Sequence, residues 1–254
     1  MDITSKPVSL INMLRRYAEQ ISLKSKNDYS NYVNTPIKFI REEWYVNERI
    51  VEIAFAHKHI SFNGIGKRAL EFGCTRSELA LQLASLGYEV LGVDLRKYPF
   101  THPRLKFFQH NILDFEDDEG YDYITAISVI EHIGLGAYGE TRRETDLQLV
   151  MNKLSSILKP GGVLIITVPF GQAYQDKFLR SFTRADVVNL FKSDDINLVD
   201  EKYFCRTEFK FWQPCDHQDT VKISNAKSDC GPTGVNCVGC FAWQNAVLSR
   251  ESIK

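Results

Sequence analysis

Between Lys67 and Phe191, short apolar runs alternate with segments of helical period, and most runs end on a glycine or a polar residue. Arg68 to Phe72 is the first strand-like run, closed by Gly73, and Ser77 to Leu86 reads as a helix closed by Gly87. Glu89 to Val93 ends at Asp94, Leu105 to Gln109 is a third run, and Tyr121 to Ile127 is a fourth. A helix over Thr145 to Leu158 stops at Pro160-Gly161-Gly162. Val163 to Val168 follows, apolar throughout, as a strand buried on both faces would be. Thr183 is placed to cap a helix running to Phe191. Such alternation predicts an α/β fold, a mostly parallel sheet with helices on both faces.

The flanks differ. Apolar positions in residues 1 to 62 recur every three or four, as in Val8, Ile11, Leu14, Ala18 and Ile21, and again after Pro36. We read 1–62 as an N-terminal helical cap and 63–254 as the main domain. After Ile196, two apolar runs enclose a polar stretch, 212–234, which predicts a long antiparallel hairpin at the sheet edge with a long loop.

Composition excludes several classes. The 254 residues carry 31 Lys+Arg against 32 Asp+Glu, a formal net charge of -1. That balance disfavours a protein that grips nucleic acid through phosphates. No run nears the ~18 apolar residues of a membrane helix, and Met1 to Lys6 lacks the basic-then-apolar pattern of a secretory leader. Six cysteines are too few for a disulfide scaffold. The expectation is a cytoplasmic, reduced protein.

Ligands of open α/β sheets bind beyond the carboxyl ends of the strands. Gly73 after the first strand allows a tight turn and close approach of a ligand. Asp94 after the second can accept from both hydroxyls of a ribose. Asn111 and Asp114 follow the third strand, where a polar pair can meet an adenine edge; Ser128, Glu131 and His132 follow the fourth. A dinucleotide fingerprint would need glycine where Thr75 and Glu78 stand. A nucleoside without a pyrophosphate fits better, and a nicotinamide-dependent oxidoreductase is disfavoured.

At these residues the chain resembles the class I S-adenosylmethionine-dependent methyltransferases, and within them the type-11-like group. The resemblance runs from about Lys67 to Val247. It is carried by Leu70-Glu71-Phe72-Gly73-Cys74, Val90-Leu91-Gly92-Val93-Asp94, Asn111-Ile112-Leu113-Asp114, Ile127-Ser128-Val129-Ile130-Glu131-His132-Ile133 and Leu158-Lys159-Pro160-Gly161-Gly162. It implies a Rossmann-like sheet of seven strands with the last antiparallel. It also implies S-adenosylmethionine as cofactor, S-adenosylhomocysteine as product, and a set of contacts. Glu71, Gly73 and Cys74 would line the methionine moiety, Asp94 the ribose, and Leu95, Asn111 and Ile112 the adenine, with Ser128 near the sulfonium. Some stretches, such as Glu131-His132-Ile133-Gly134-Leu135-Gly136 and Thr167-Val168-Pro169-Phe170-Gly171, look like methyltransferases of bacterial polysaccharide and natural-product biosynthesis. By that analogy the acceptor is a hydroxyl of a small molecule.

A hydroxyl acceptor gains from a general base. His132 is the first candidate, His217 in the long loop the second, and Glu131 the alternative. Relatives that hold a divalent metal here use Glu-x-x-Glu-His; with Ser128 at the first position, no metal is expected. Cys237-Val238-Gly239-Cys240 has the spacing of half a zinc site, but residues three apart on a strand face opposite ways. Cys215, Cys230, Cys237 and Cys240 are therefore read as buried thiols. Arg142, Arg143, Lys177, Arg180 and Arg184 could hold an anionic acceptor, and Tyr138, Phe170, Tyr174, Phe178 and Phe182 could stack on one. Two rival readings stay open: an RNA or protein methyltransferase, which lacks both a basic composition and an Asn-Pro-Pro-aromatic motif, and a noncatalytic cofactor-binding partner. A homodimer is compatible with either.

Overall fold

A computed structural model of the chain describes residues 47–136, 143, 145–191, 195–207, 211–230 and 234–247. These described residues fall in one compact unit. Its elements are α1 (Arg49–His59), β1 (Arg68–Phe72), α2 (Leu79–Ser85), β2 (Glu89–Val93), β3 (Leu105–Phe108), β4 (Tyr121–Ile127), α3 (Asp146–Ser156) and β5 (Leu158–Pro169). There follow β6 (Tyr174–Gln175), β7 (Arg180–Ser181), α4 (Arg184–Val188), β8 (Ile196–Arg206), β9 (Trp212–Cys215), α5 (His217–Thr220), α6 (Lys227–Cys230) and β10 (Cys237–Asn245).

The main sheet has the order β3-β2-β1-β4-β5-β10-β8-β9. β1 to β5 pair in parallel, and β10 runs antiparallel between β5 and β8. Neighbouring residues of β1 face opposite ways: Leu70 enters a core with Met151 and Leu154 of α3, and Ala69 one with Phe55 of α1 and Leu83 of α2. The sheet is thus sandwiched between helices, and β5 is buried through Leu164–Pro169, as its unbroken apolar run requires. Thr183 caps α4, and a reciprocal bond from Asp186 completes a capping box.

The Rossmann-like class holds, but the strand count rises to eight. The stretch 212–234 is not one loop. It begins with β9, which pairs antiparallel with β8, and carries α5 and α6. Pro214 inside β9 is tolerated because β9 is the outermost strand. The cap expected over 1–62 lies outside the described residues up to 46. Its last stretch forms α1, which packs on the sheet, beside β4, β5 and β10. No helix among the described residues is long and apolar enough to cross a membrane.

Candidate functional site

A cavity of about 780 Å³ opens beyond the carboxyl ends of the parallel strands. The strand-end residues Gly73, Asp94, Leu95, Asn111, Ile112 and Ser128 all line it. Gly73 has φ +79°, and a Cβ there would stand 2.3 Å from Val129 Cγ2. Glycine therefore keeps the floor between β1 and β4 open. Asp94 ends β2 almost fully buried. One of its oxygens accepts from Thr75 N at 3.0 Å and the other from Arg96 N at 2.9 Å. Burial acts to raise its pKa, yet those amides outweigh it and hold the carboxylate below its ordinary range. Each oxygen keeps lone-pair capacity for a hydroxyl donor. Asn111 Oδ1 accepts from Leu113 N at 3.0 Å, which fixes the turn that presents Ile112.

The end of β4 is the most constrained part. Ser128 has φ +48°, a left-handed conformation that costs a non-glycine residue free energy. Its amide is held by Thr167 O at 3.1 Å and Thr167 Oγ1 at 3.0 Å. Its hydroxyl donates to Glu52 Oε1 at 2.6 Å. Arg49, one turn earlier on α1, reaches Glu52 Oε2 at 3.1 Å and Ile127 O at 2.7 Å. Glu48 and Arg49 also line the cavity.

His132 and Glu131 stand on the same wall. His132 Nδ1 lies 2.6 Å from Phe178 O, and its ring meets the Phe178 ring edge-on at 5.0 Å. A carbonyl can only accept, so Nδ1 carries the proton and Nε2 the basic lone pair. Nε2 faces Glu131 Oε1 at 3.8 Å. Burial pushes the Glu131 carboxyl well above its ordinary range. Among the described residues, buried Glu131 Oε2 and Glu48 Oε2 meet no hydrogen-bond partner.

The other residues named from the sequence divide between the cavity wall and its surroundings. Glu71 and Cys74 do not reach the cavity wall. Glu71 turns under the start of α2 and accepts from Ala80 N at 2.5 Å. The Cys74 side chain is buried against Gly92 of β2. His217 is also outside: it lies in a separate small pocket, against the rings of Phe170 and Tyr203. Of the basic side chains, Lys177 lines the cavity, whereas Arg184 pairs with Glu201 at 3.0 Å and Arg142 lies outside the described residues. Tyr174 and Phe178 line the wall, Phe170 and Phe182 are core, and Tyr138 is not described. Cys230, Cys237 and Cys240 are buried thiols, but Cys215 is bonded to Cys205.

Sequence reading passed over Glu48, Arg49 and Glu52, and also Asn225 and Lys227 on the cavity wall. One signal for the first group was present. Two glutamates four apart on a helix repel unless something between them compensates, and Arg49 does.

Burial raises the Glu71 pKa to about 7, although bonds from Ser77 and Ala80 act the other way. The folded state therefore binds this proton more tightly than the unfolded chain does. Its contribution to stability is greatest below the unfolded carboxyl pKa and is lost as pH rises towards 7. We expect Glu71→Gln to flatten the fall in melting temperature between pH 5 and pH 7, as read by thermal unfolding. An unchanged slope would contradict the assignment.

Comparison with known proteins agrees with this geometry. Residues 45–203 match the family model of a methyltransferase domain. A ubiquinone biosynthesis O-methyltransferase of Aliivibrio fischeri is 30% identical over 112 residues, covering 39% of this chain and 43% of that protein. One from Rickettsia typhi is 26% identical over 132 residues, covering 48% and 49%. The chain thus spans less than half the length of these curated relatives. A Burkholderia thailandensis 1,6-didemethyltoxoflavin-N1-methyltransferase, solved with bound 1,6-didemethyltoxoflavin and S-adenosylhomocysteine, shares the fold. Its TM-score is 0.54 at 14% identity, over 91% of this chain and 90% of that one. A Methanosarcina mazei S-adenosylmethionine-dependent methyltransferase gives a TM-score of 0.51 at 14% identity, over 76% and 97%.

Proposed function

The chain belongs to the methyltransferase-domain family, and from that premise we propose that it methylates a hydroxyl group of a small molecule with S-adenosylmethionine. The observation that carries this reading is the convergence of Gly73, Asp94, Ile112 and Ser128, from the ends of four adjacent strands, on one cavity that also receives His132.

The residues fit the cofactor. The carboxylate of Asp94 is ionised, oriented by two amides and open to two ribose hydroxyls. Leu95 and Ile112 offer apolar surface to a flat base, and the glycine floor at Gly73 leaves room for the chain leading away from the ribose. Arg49 supplies a cation for a carboxylate near Ser128. When bound, S-adenosylmethionine supplies an electrophilic methyl group on a positively charged sulfur.

The protein's part is positioning and proton removal. A hydroxyl held in line with the methyl group gains much of the rate from orientation alone. His132 Nε2 is the acceptor for its proton, and the Phe178 carbonyl keeps the ring in the required tautomer. Glu131 stands beside it at 3.8 Å, its carboxyl held towards the neutral form by burial. Tyr174, Lys177 and Phe178 form the outer wall, where the acceptor would sit. The curated relatives named as O-methyltransferases support oxygen as the acceptor atom. The near-zero net charge supports a small molecule over RNA.

Thermal unfolding tests the cofactor first. S-adenosylhomocysteine at 100 times its dissociation constant should stabilise the fold by about 2.7 kcal/mol, and NADH should not. Stabilisation by NADH alone would overturn the reading. A panel of phenols and sugars, paired with the corresponding amines, then tests the acceptor. Turnover confined to the amines would exclude O-methylation.

A further inference from the structure

Three sulfur atoms meet where β8, β9 and β10 lie side by side. Cys205 on β8 faces Cys237 on β10 directly across the antiparallel ladder. Their sulfurs are 3.5 Å apart. On the other side of β8, Cys215 pairs with Tyr203, two residues from Cys205 and on the same face of the sheet, and is joined to Cys205 by a disulfide. All three sulfurs lie within 4.8 Å of one another. Among the described residues, no other group of three His, Cys, Asp or Glu brings its ligand atoms so close. Cys240 takes no part: it packs in the core layer on the opposite face from Cys237. Cys237 is fully buried, while Cys205 and Cys215 are half-buried.

We propose that reduction of the Cys205–Cys215 bond turns this triad into a three-thiolate site for a soft divalent cation of the zinc type. Tetrahedral zinc with sulfur at ~2.3 Å needs its thiolates ~3.8 Å apart, and the Cys205–Cys237 pair already stands close to that separation. Only Cys215, on the outermost strand, has to withdraw from bonding to contact distance. The register of three adjacent strands supplies the rest of the geometry. The fourth position of the tetrahedron is left to water.

The chemistry balances with a dithiol reductant. Its two electrons and two protons convert the Cys205–Cys215 disulfide into two thiols, and it becomes a disulfide itself. The cation then replaces the three thiol protons, which pass to solvent. The oxidised and metal-bound states exclude one another, because the bonded sulfurs cannot serve as thiolates. The site also touches the cavity: Asn225 on its wall accepts from Cys237 N at 3.2 Å and donates to Cys237 O at 3.4 Å.

Cobalt(II) titration of the full chain tests the site without any methyl acceptor. After anaerobic reduction with a phosphine, one equivalent of cobalt should give sulfur-to-cobalt charge-transfer absorption and intense tetrahedral ligand-field bands, which zinc then abolishes. The oxidised protein should give neither. Cys237→Ser and Cys215→Ser should lose the signal and Cys240→Ser should keep it, with metal-free thermal unfolding showing that each variant folds. Cys215→Ser, at the sheet edge, serves if Cys237→Ser does not fold. A reduced, folded wild-type protein with no thiolate bands overturns the proposal, as do bands that survive in the Cys215 variant.

Discussion

Asp94→Ala will weaken binding of S-adenosylhomocysteine by about 100-fold or more, because it removes two hydrogen bonds to a charged acceptor, each contributing roughly 1.5–3 kcal/mol. The loss is large because Asp94 is already organised: Thr75 N and Arg96 N orient the carboxylate and keep it ionised. The same amides make a control necessary, since alanine leaves both without their acceptor. Asp94→Asn retains one oxygen and should lose less affinity than the alanine variant. Calorimetric titration of both variants, with ligand-free melting temperatures alongside, separates lost ribose contacts from a loosened loop. Unchanged affinity in a folded Asp94→Ala protein would remove the cofactor from the position given to it here.

How far such a site can be read from sequence depends on the distance over which its parts communicate. The ends of β1, β2 and β4 were legible because each strand is a short apolar run stopped by a residue with its own chemistry: Gly73, Asp94 and Ser128. Side-chain direction was not legible. Glu71 occupies a motif position, yet strand alternation turns it beneath α2, where Ala80 N takes its carboxylate. The Glu52–Ser128 bond spans 76 residues of chain, and no local spacing reports a contact of that kind. β9 was hidden by Pro214, which would break an inner strand but is harmless on an edge. The disulfide was hidden too, since only the register of β8 with its neighbours shows that Cys205 sits between Cys215 and Cys237.

His132→Ala should lower the rate of methyl transfer by about 10²- to 10⁴-fold, the usual contribution of a positioned general base, while leaving affinity for S-adenosylhomocysteine unchanged. The pH dependence carries the sharper test. A base acts only when unprotonated, so the wild-type rate must rise with pH along an acid limb, and that limb must vanish in the variant. A packing role makes a different prediction. His132 also holds the Phe178 carbonyl and meets its ring edge-on, so its removal could simply spoil the outer wall of the cavity. A spoiled wall would raise KM for the acceptor and preserve the acid limb; a missing base would lower kcat and abolish it. Added imidazole offers a second discrimination, because the space left by the side chain can admit a small base that restores proton removal without rebuilding the wall. Recovery of kcat with imidazole would identify Nε2 as the proton acceptor. A raised KM with the acid limb intact would assign His132 to the wall and pass the role of base to Glu131, the carboxyl beside it.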